Sequence, residues 1–163
     1  MLYARRFESP MGPLLLESDG TALTGLRTPH RLEGREAPDT DAEVFDLTER
    51  WLRAYFRGAR PDFLPPLAPQ GTAFRLSVWK LLLDVPYGEL TTYGAIADRL
   101  RAQGLKASPR AVGGAVGHNP IPILIPCHRV VGADGRLTGY TGGLDVKKYL
   151  LALEGSLIKC TDS

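Results

Sequence analysis

Between residues 59 and 71 the chain reads ARPDFLPPLAPQG, with four prolines in thirteen positions. Proline fixes φ and brings no N–H, so this stretch can be neither a helix interior nor a central strand. It reads as a linker, and it divides the 163 residues into two parts, 1–70 and 71–163, each with its own secondary-structure signals.

The first part opens with the strand-like runs YARRFES, PLLLESD and ALTGLRT, separated by Pro-Met-Gly-Pro and Asp-Gly turn signals. This is the pattern of a small antiparallel sheet. A polar loop over 28–40 follows. From Asp41 to Phe56 the apolar residues Val44, Leu47, Trp51, Leu52, Tyr55 and Phe56 recur at helical spacing, with Gly58 at the stop position. The expectation is one amphipathic helix covering the sheet.

The second part is mainly helical. Thr72 is placed to cap a helix carrying Phe74, Val78, Trp79, Leu82 and Leu83 before Pro86-Tyr87-Gly88. Thr91 or Thr92 caps a second helix, TYGAIADRL. After the turn RAQGLKA, Ser108 caps a third, with Pro109 at its first position and then RAVGGAVG. The last two have the outline of a helix-turn-helix. The fold expected is α+β: a small N-terminal sheet with a covering helix in 1–70, then a helical, winged-helix-like domain in 71–163.

Gly113, Gly114 and Gly117 in the third helix each cost about 1 kcal/mol against alanine. Something must therefore come close to the backbone there, either a packed neighbour or a nucleic-acid groove entered by Arg110. Charge favours the second part for a polyanion: residues 1–70 carry a balance of −2 and residues 71–163 of +4. No apolar run is long enough to span a bilayer, and MLYARRFESP lacks a secretory layout, so an intracellular protein without membrane contact is expected, cytoplasmic if prokaryotic. The two cysteines, Cys127 and Cys160, form neither a disulfide framework nor a zinc site.

The chemistry concentrates in NPIPILIPCHRVVG, residues 119–132. ILIP and RVVG read as buried strand, which puts Cys127 at the rim of a rigid core element. A reactive thiol needs its thiolate favoured, and His128 and Arg129 are the adjacent sources of positive charge and proton traffic. Neighbours on a strand face opposite ways, so a water bridging Cys127 and His128 is the expected link.

The blocks FRLSVWK, PYGELTTYGAIA, RAVGGAVGHNP, PCHRVVG and GYTGGLDVKKYLLALEG, in this order from Phe74 to Glu154, resemble the O6-alkylguanine-DNA alkyltransferases, or methylated-DNA–protein-cysteine methyltransferases. Residues 1–70 match more loosely, through SPMGPLLL and LRAYFRG. The resemblance implies that Cys127 takes an alkyl group irreversibly from O6 of guanine, and from O4 of thymine, in double-stranded DNA. His128 would act as base through a water, Glu154 would orient His128, and Asn119 would brace the turn before the cysteine. Tyr93 would help rotate the nucleotide out and protonate the departing guanine. Arg110 would fill the gap, with Ala111, Gly113 and Gly114 on the same helix against the DNA.

Tyr140, Thr141, Gly142, Val130 and Pro122 would line the pocket, the carbonyls of Cys127 and Val130 accepting from the guanine amino group. Gly142 and Gly143 would leave its lip open to a benzyl group. The resemblance implies a monomer without cofactor or metal. The chemistry is consistent: sulfur is the side-chain nucleophile best suited to displacing a poor leaving group from carbon. A base stacked in duplex must first be flipped out. A plain DNA-binding regulator would not need PCHR. A cytosine methyltransferase would need a glycine-rich cofactor-binding unit, which the first part lacks. A cysteine hydrolase would be told by turnover of an ester or peptide. The connection LRAQGLKASP is long for the family pattern.

Overall fold

The computed structural model describes residues 3–32, 40–138, 140 and 142–160. Strands β1 (Tyr3–Ser9), β2 (Gly12–Ser18) and β3 (Leu23–Arg27) form an antiparallel sheet in the order β1-β2-β3. Leu14, Leu15 and Leu16 on the central strand are all buried, so side chains on both faces of β2 are shielded from solvent. Helix α1 (Glu43–Phe56) packs on all three strands. Its buried stripe is Val44, Phe45, Thr48, Trp51, Leu52 and Tyr55. Leu47 and Phe56, expected in that stripe, sit on its flanks and are half-buried, because a turn of 3.6 residues puts Phe45 and Thr48 in phase instead.

The proline-rich segment does not simply span. Leu67 bridges Leu23 in parallel, with Leu23 N–H donating to the Pro66 carbonyl and Ala68 N–H to the Leu23 carbonyl, both at 2.8 Å. This is the edge position that proline tolerates. Contacts divide the chain into two compact units, Met1–Gln70 with Pro120–Pro122, and Gly71–Asn119 with Ile123–Ser163.

In the second unit each helix start has its cap. Thr72 accepts from Arg75 N–H at α2 (Ala73–Leu82), Thr92 from Ala95 N–H at α3 (Tyr93–Ala102), and Ser108 from Ala111 N–H at α4 (Pro109–Gly117). Leu81 is buried on α2, whereas Leu83, expected in the core, is exposed. Helices α2, α3 and α4 pack on one another, and the buried indole of Trp79 donates to the Ala115 carbonyl at 2.8 Å, tying α4 to α2. The two-residue strands β4 (Thr91–Thr92) and β5 (Val130–Val131) pair in parallel, Thr91 opposite Val130 and Thr92 opposite Val131. Helix α5 (Leu144–Leu153) follows. Glu154 caps it, with Gly155 at φ +78°; Ser156 N–H reaches the Leu151 carbonyl and Gly155 N–H the Ala152 carbonyl. That is a Schellman ending, and it fixes where Glu154 stands.

No helix among the described residues is long and apolar enough to cross a membrane.

Candidate active site

The cysteine segment departs from the strand expected of it. Cys127–Arg129 is a single 3-10 turn, and only Val130–Val131 pair as strand. Pro120, Pro122 and Pro126 remove the donors that a ladder over 120–126 would need. Ile123 takes φ +77°, and Pro126, at φ −79° and ψ 66°, makes an inverse γ-turn in which Cys127 N–H donates to the Ile125 carbonyl at 2.7 Å. Asn119 Nδ2 donates to the same Ile125 carbonyl at 2.8 Å, bracing the segment from the end of α4.

Cys127 is 4% exposed. Its Sγ lies 3.5 Å from the Tyr140 hydroxyl and is also touched by the Asn119 side chain. Burial pushes the Cys127 thiol up, while Tyr140, Asn119 and the positive charge of Lys147 act the other way. Lys147 is a residue the sequence reading passed over. It is 1% exposed on α5, donates to the Val130 carbonyl at 2.8 Å, and has Nζ 6.0 Å from the centroid of the Tyr140 ring. Its position in phase with Val146, Leu150 and Leu151 on the buried face of α5 was the available signal.

His128 is fully buried, and Nε2 lies 2.7 Å from Glu154 Oε2. Burial pushes the imidazole down against the pull of Glu154, so the ring is neutral near pH 7. A neutral ring facing a carboxylate through Nε2 carries its proton there, which leaves Nδ1 as a basic lone pair. Nδ1 is buried and has no hydrogen-bond partner among the described residues.

The expectation that His128 and Arg129 supply positive charge to the thiol is corrected by this geometry. His128 is neutral. Arg129 spends its guanidinium on Glu154, Nε to Oε1 at 2.8 Å and Nη2 to Oε2 at 3.0 Å, and on the Val85 carbonyl through Nη1 at 2.6 Å. Lys147 is the cation that acts on the sulfur.

Glu154 thus accepts hydrogen bonds from Arg129 twice, from His128, and from Gly88 N–H at 3.2 Å. Burial alone would raise its carboxyl, but the His128 and Arg129 hydrogen bonds win and hold it far below the usual carboxylate range. The Pro86-Tyr87-Gly88 turn has a second duty besides ending α2. Tyr87 hydroxyl donates to the Leu153 carbonyl at 3.2 Å, and its ring centroid is 5.8 Å from Arg129 Cζ. Gly88 has φ +81°, and a Cβ there would meet the Glu154 carbonyl at 3.2 Å, so glycine is needed on both counts.

Tyr93 opens α3, half-buried, with its hydroxyl 2.8 Å from Thr138 Oγ1. Arg110, Ala111 and Gly114 are exposed on α4. A Cβ on Gly114 or Gly117 would meet open space, and one on Gly113 only the Tyr93 ring at 3.8 Å. No packed neighbour among the described residues therefore accounts for these glycines. The Val130 carbonyl already accepts from Lys147, leaving one lone pair. Gly142 is buried. Gly143 N–H donates to the Tyr140 carbonyl at 2.9 Å with φ +104°, so this second glycine serves a turn. Pro122 belongs to the first unit, and Thr141 lies outside the described residues.

The arrangement suits a thiol that gives up its proton and attacks carbon: a buried sulfur with one cation and two polar groups on it, in the same turn as an imidazole held by an ionised glutamate.

Residues 73–156 match the family described as 6-O-methylguanine DNA methyltransferase, DNA binding domain. A methylated-DNA–protein-cysteine methyltransferase of Methanosarcina acetivorans is 47% identical over 161 residues, covering 95% of this chain and 99% of its own. One of Mycobacterium tuberculosis is also 47% identical over 161 residues, covering 96% and 94%. Among solved structures, the O6-methylguanine methyltransferase of M. tuberculosis superposes with a TM-score of 0.81 at 46% identity over 96% of this chain and 94% of that one. The same organism's OGT in complex with DNA gives 0.83 at 44% identity over 97% and 94%.

Proposed function

Since the chain belongs to the 6-O-methylguanine DNA methyltransferase family, we propose that it repairs duplex DNA by moving one alkyl group from O6 of guanine, or O4 of thymine, to Cys127 Sγ, once per molecule. The class of activity is that of a methylated-DNA–protein-cysteine methyltransferase. The observation that carries the finer reading is the unbonded Nδ1 of His128, held as an acceptor by the Glu154 bond at Nε2. Through a water, Nδ1 takes the Cys127 proton as the alkylated base arrives. The sulfur then attacks the alkyl carbon; the S–C bond forms while the C–O bond breaks, and the electron pair leaves with the guanine, which takes a proton from the Tyr93 hydroxyl. The phenol of Tyr140 and the charge of Lys147 stabilise the thiolate meanwhile. A thioether has no hydrolysable bond, so the sulfur is not regenerated.

Intact-mass and peptide spectrometry after incubation with an O6-methylguanine oligonucleotide tests this. One methyl per chain, on the peptide carrying Cys127, is the expected result. More than one lesion repaired per chain, or a methyl on Cys160, would overturn it.

Docking on DNA is supported by the open glycine face of α4 and the exposed Arg110 at its start. Small residues let a groove approach closely, and an inserted side chain can hold the place of a flipped nucleotide. Arg110→Ala is expected to slow methyl transfer from duplex by tenfold or more, on the order of the few kcal/mol a flipped base costs. Reaction with the free modified base should be unchanged; equal losses on both substrates would remove the finger role. Affinity should fall steeply with salt and depend little on sequence.

The pocket lip carries a further expectation. Gly142 brings no side chain there, so free O6-benzylguanine should consume the activity completely, and Gly142→Trp should protect against it while methyl transfer from DNA persists. Full activity of the unmodified protein after prolonged exposure would show the lip to be closed.

A further inference from the structure

The Tyr93 hydroxyl and Thr138 Oγ1 are 2.8 Å apart, and either can be the donor. Threonine is stiff about χ1, so where its methyl rests decides where its hydroxyl points. The methyl of Thr138 has a seat: a Cβ on Gly132 would meet Thr138 Cγ2 at 3.3 Å, closer than a side chain there could sit without displacing it. Gly132 leaves that space to the methyl, and the hydroxyl is turned onto the phenol. The Tyr93 ring also meets α4, its Cδ1 and Cε1 each 3.8 Å from where a Gly113 Cβ would be. The phenol is therefore held between the α4 backbone and one hydroxyl. Burial raises the Tyr93 phenol, making its proton harder to give, and the Thr138 hydrogen bond opposes that effect.

We propose that Thr138 is a positioning residue for alkyl transfer: its hydroxyl accepts from the Tyr93 phenol in the resting protein, then rotates to donate to the phenolate oxygen as the phenol proton passes to the departing guanine. A hydroxyl can do both, because it carries one donor and two lone pairs and turns freely about its C–O bond. The balance is simple. The Tyr93 O–H bond breaks, an N–H bond forms on the guanine, and the charge left on the phenol oxygen is met by Thr138 O–H until solvent returns a proton. The inference rests on the proton-donor role proposed for Tyr93.

Four variants separate the two claims: Thr138→Val, Thr138→Ser, Tyr93→Phe and the double Tyr93→Phe/Thr138→Val. Each is measured in single-turnover methyl transfer from duplex, with DNA affinity and melting temperature recorded alongside. Valine keeps the shape and the methyl but loses the hydroxyl, whereas serine keeps the hydroxyl. A hydrogen bond to a developing charge is worth enough that Thr138→Val should slow the transfer rate by about tenfold or more with DNA affinity unchanged. Thr138→Ser should recover part of the rate, since it keeps the hydroxyl but not the methyl that aims it, and the double variant should be no slower than Tyr93→Phe alone.

If Tyr93→Phe is slow but Thr138→Val runs at the unmodified rate, or if Thr138→Val slows the Tyr93→Phe protein by the same factor, the inference is overturned and the Tyr93 role stands. If Tyr93→Phe itself runs at the unmodified rate, the donor role falls, and this inference with it.

Discussion

Replacing Cys127 with alanine is expected to abolish methyl transfer entirely while leaving affinity for duplex DNA within about twofold, a change of only tenths of a kcal/mol. In the proposed reaction the Cys127 sulfur is the atom that forms the new bond, and Cys160 is not placed to take over. Cys160 lies on a separate turn after α5, its thiol 3.7 Å from the Ser156 carbonyl and pushed up by burial, with no imidazole in its own turn. The groups proposed to meet DNA sit on α4, whose cap, packing on α2 and Trp79 tie do not involve residue 127. Alanine removes one small buried group, so the stability cost should be about 1 kcal/mol. Denaturant unfolding, a binding titration and a transfer assay on the same preparation check all three. Residual transfer at a measurable rate would place the nucleophile elsewhere; loss of DNA binding would mean that the turn and α4 are not separate elements.

Arg129→Met should be the most damaging single change outside the nucleophile. The guanidinium is buried, gives Glu154 two hydrogen bonds, and with His128 keeps the carboxylate ionised. Removing one partner of a buried ion pair typically costs about 3–5 kcal/mol, because the other charge stays behind uncompensated. Against a total of roughly 5–15 kcal/mol for a domain, that approaches unfolding. Lysine at this position should be intermediate, since it keeps the charge but not the two-pronged geometry.

A pH series adds a readout that lost packing alone would not move. Glu154 has a folded pKa below its unfolded value, so its contribution is complete above the ordinary carboxylate pKa of about 4.3 and is lost as pH falls below it. His128 is also depressed, so its neutral burial becomes costly once pH drops below the unfolded imidazole value of about 6.5. Both effects make the unmodified protein lose stability on acidification, first gently and then steeply. In Arg129→Met the steep lower part should flatten, because Glu154 is no longer held so far down. Melting temperature from neutral to about pH 3 decides it; an unchanged slope would show that Arg129 does not hold the carboxylate.

Much of this was legible in the residues. The three caps, Thr72, Thr92 and Ser108, each stand immediately before an apolar period and each accept the hydrogen bond expected of them. The three strand runs pair as an antiparallel sheet because their turn residues leave no other short connection. Misread elements have a common cause. Val130–Val131 looked continuous with Ile123-Leu124-Ile125, since apolar β-branched residues read alike in a strand and in a buried turn; the prolines at 120, 122 and 126 were the signal against it. Arg129 was assigned by adjacency to the thiol, yet in a 3-10 turn each side chain is rotated by about a third of a revolution from the one before. That turns both His128 and Arg129 away from Cys127, and both reach Glu154. Glu154, taken by itself, reads as a solvated charge at a helix end, because nothing local announces that donors from His128, Arg129 and Gly88 will converge on it. Such convergence is a property of the tertiary structure, set by the Schellman ending of α5 and the Tyr87-Gly88 turn.

The β4–β5 pairing is two residues long, and those residues are well placed: Thr92 is also the cap of α3, and Val130 follows the cysteine turn directly. A parallel ladder is made of backbone groups and is indifferent to the side chains attached to them. It works as a dowel between the helices that would ride on DNA and the atom that would react, locating one against the other whatever grows on either side. Substitutions at the proposed pocket lip, as at Gly142, are therefore expected to retune which groups are admitted without moving the sulfur relative to the helices, so substrate range and alignment would drift independently in such a scaffold.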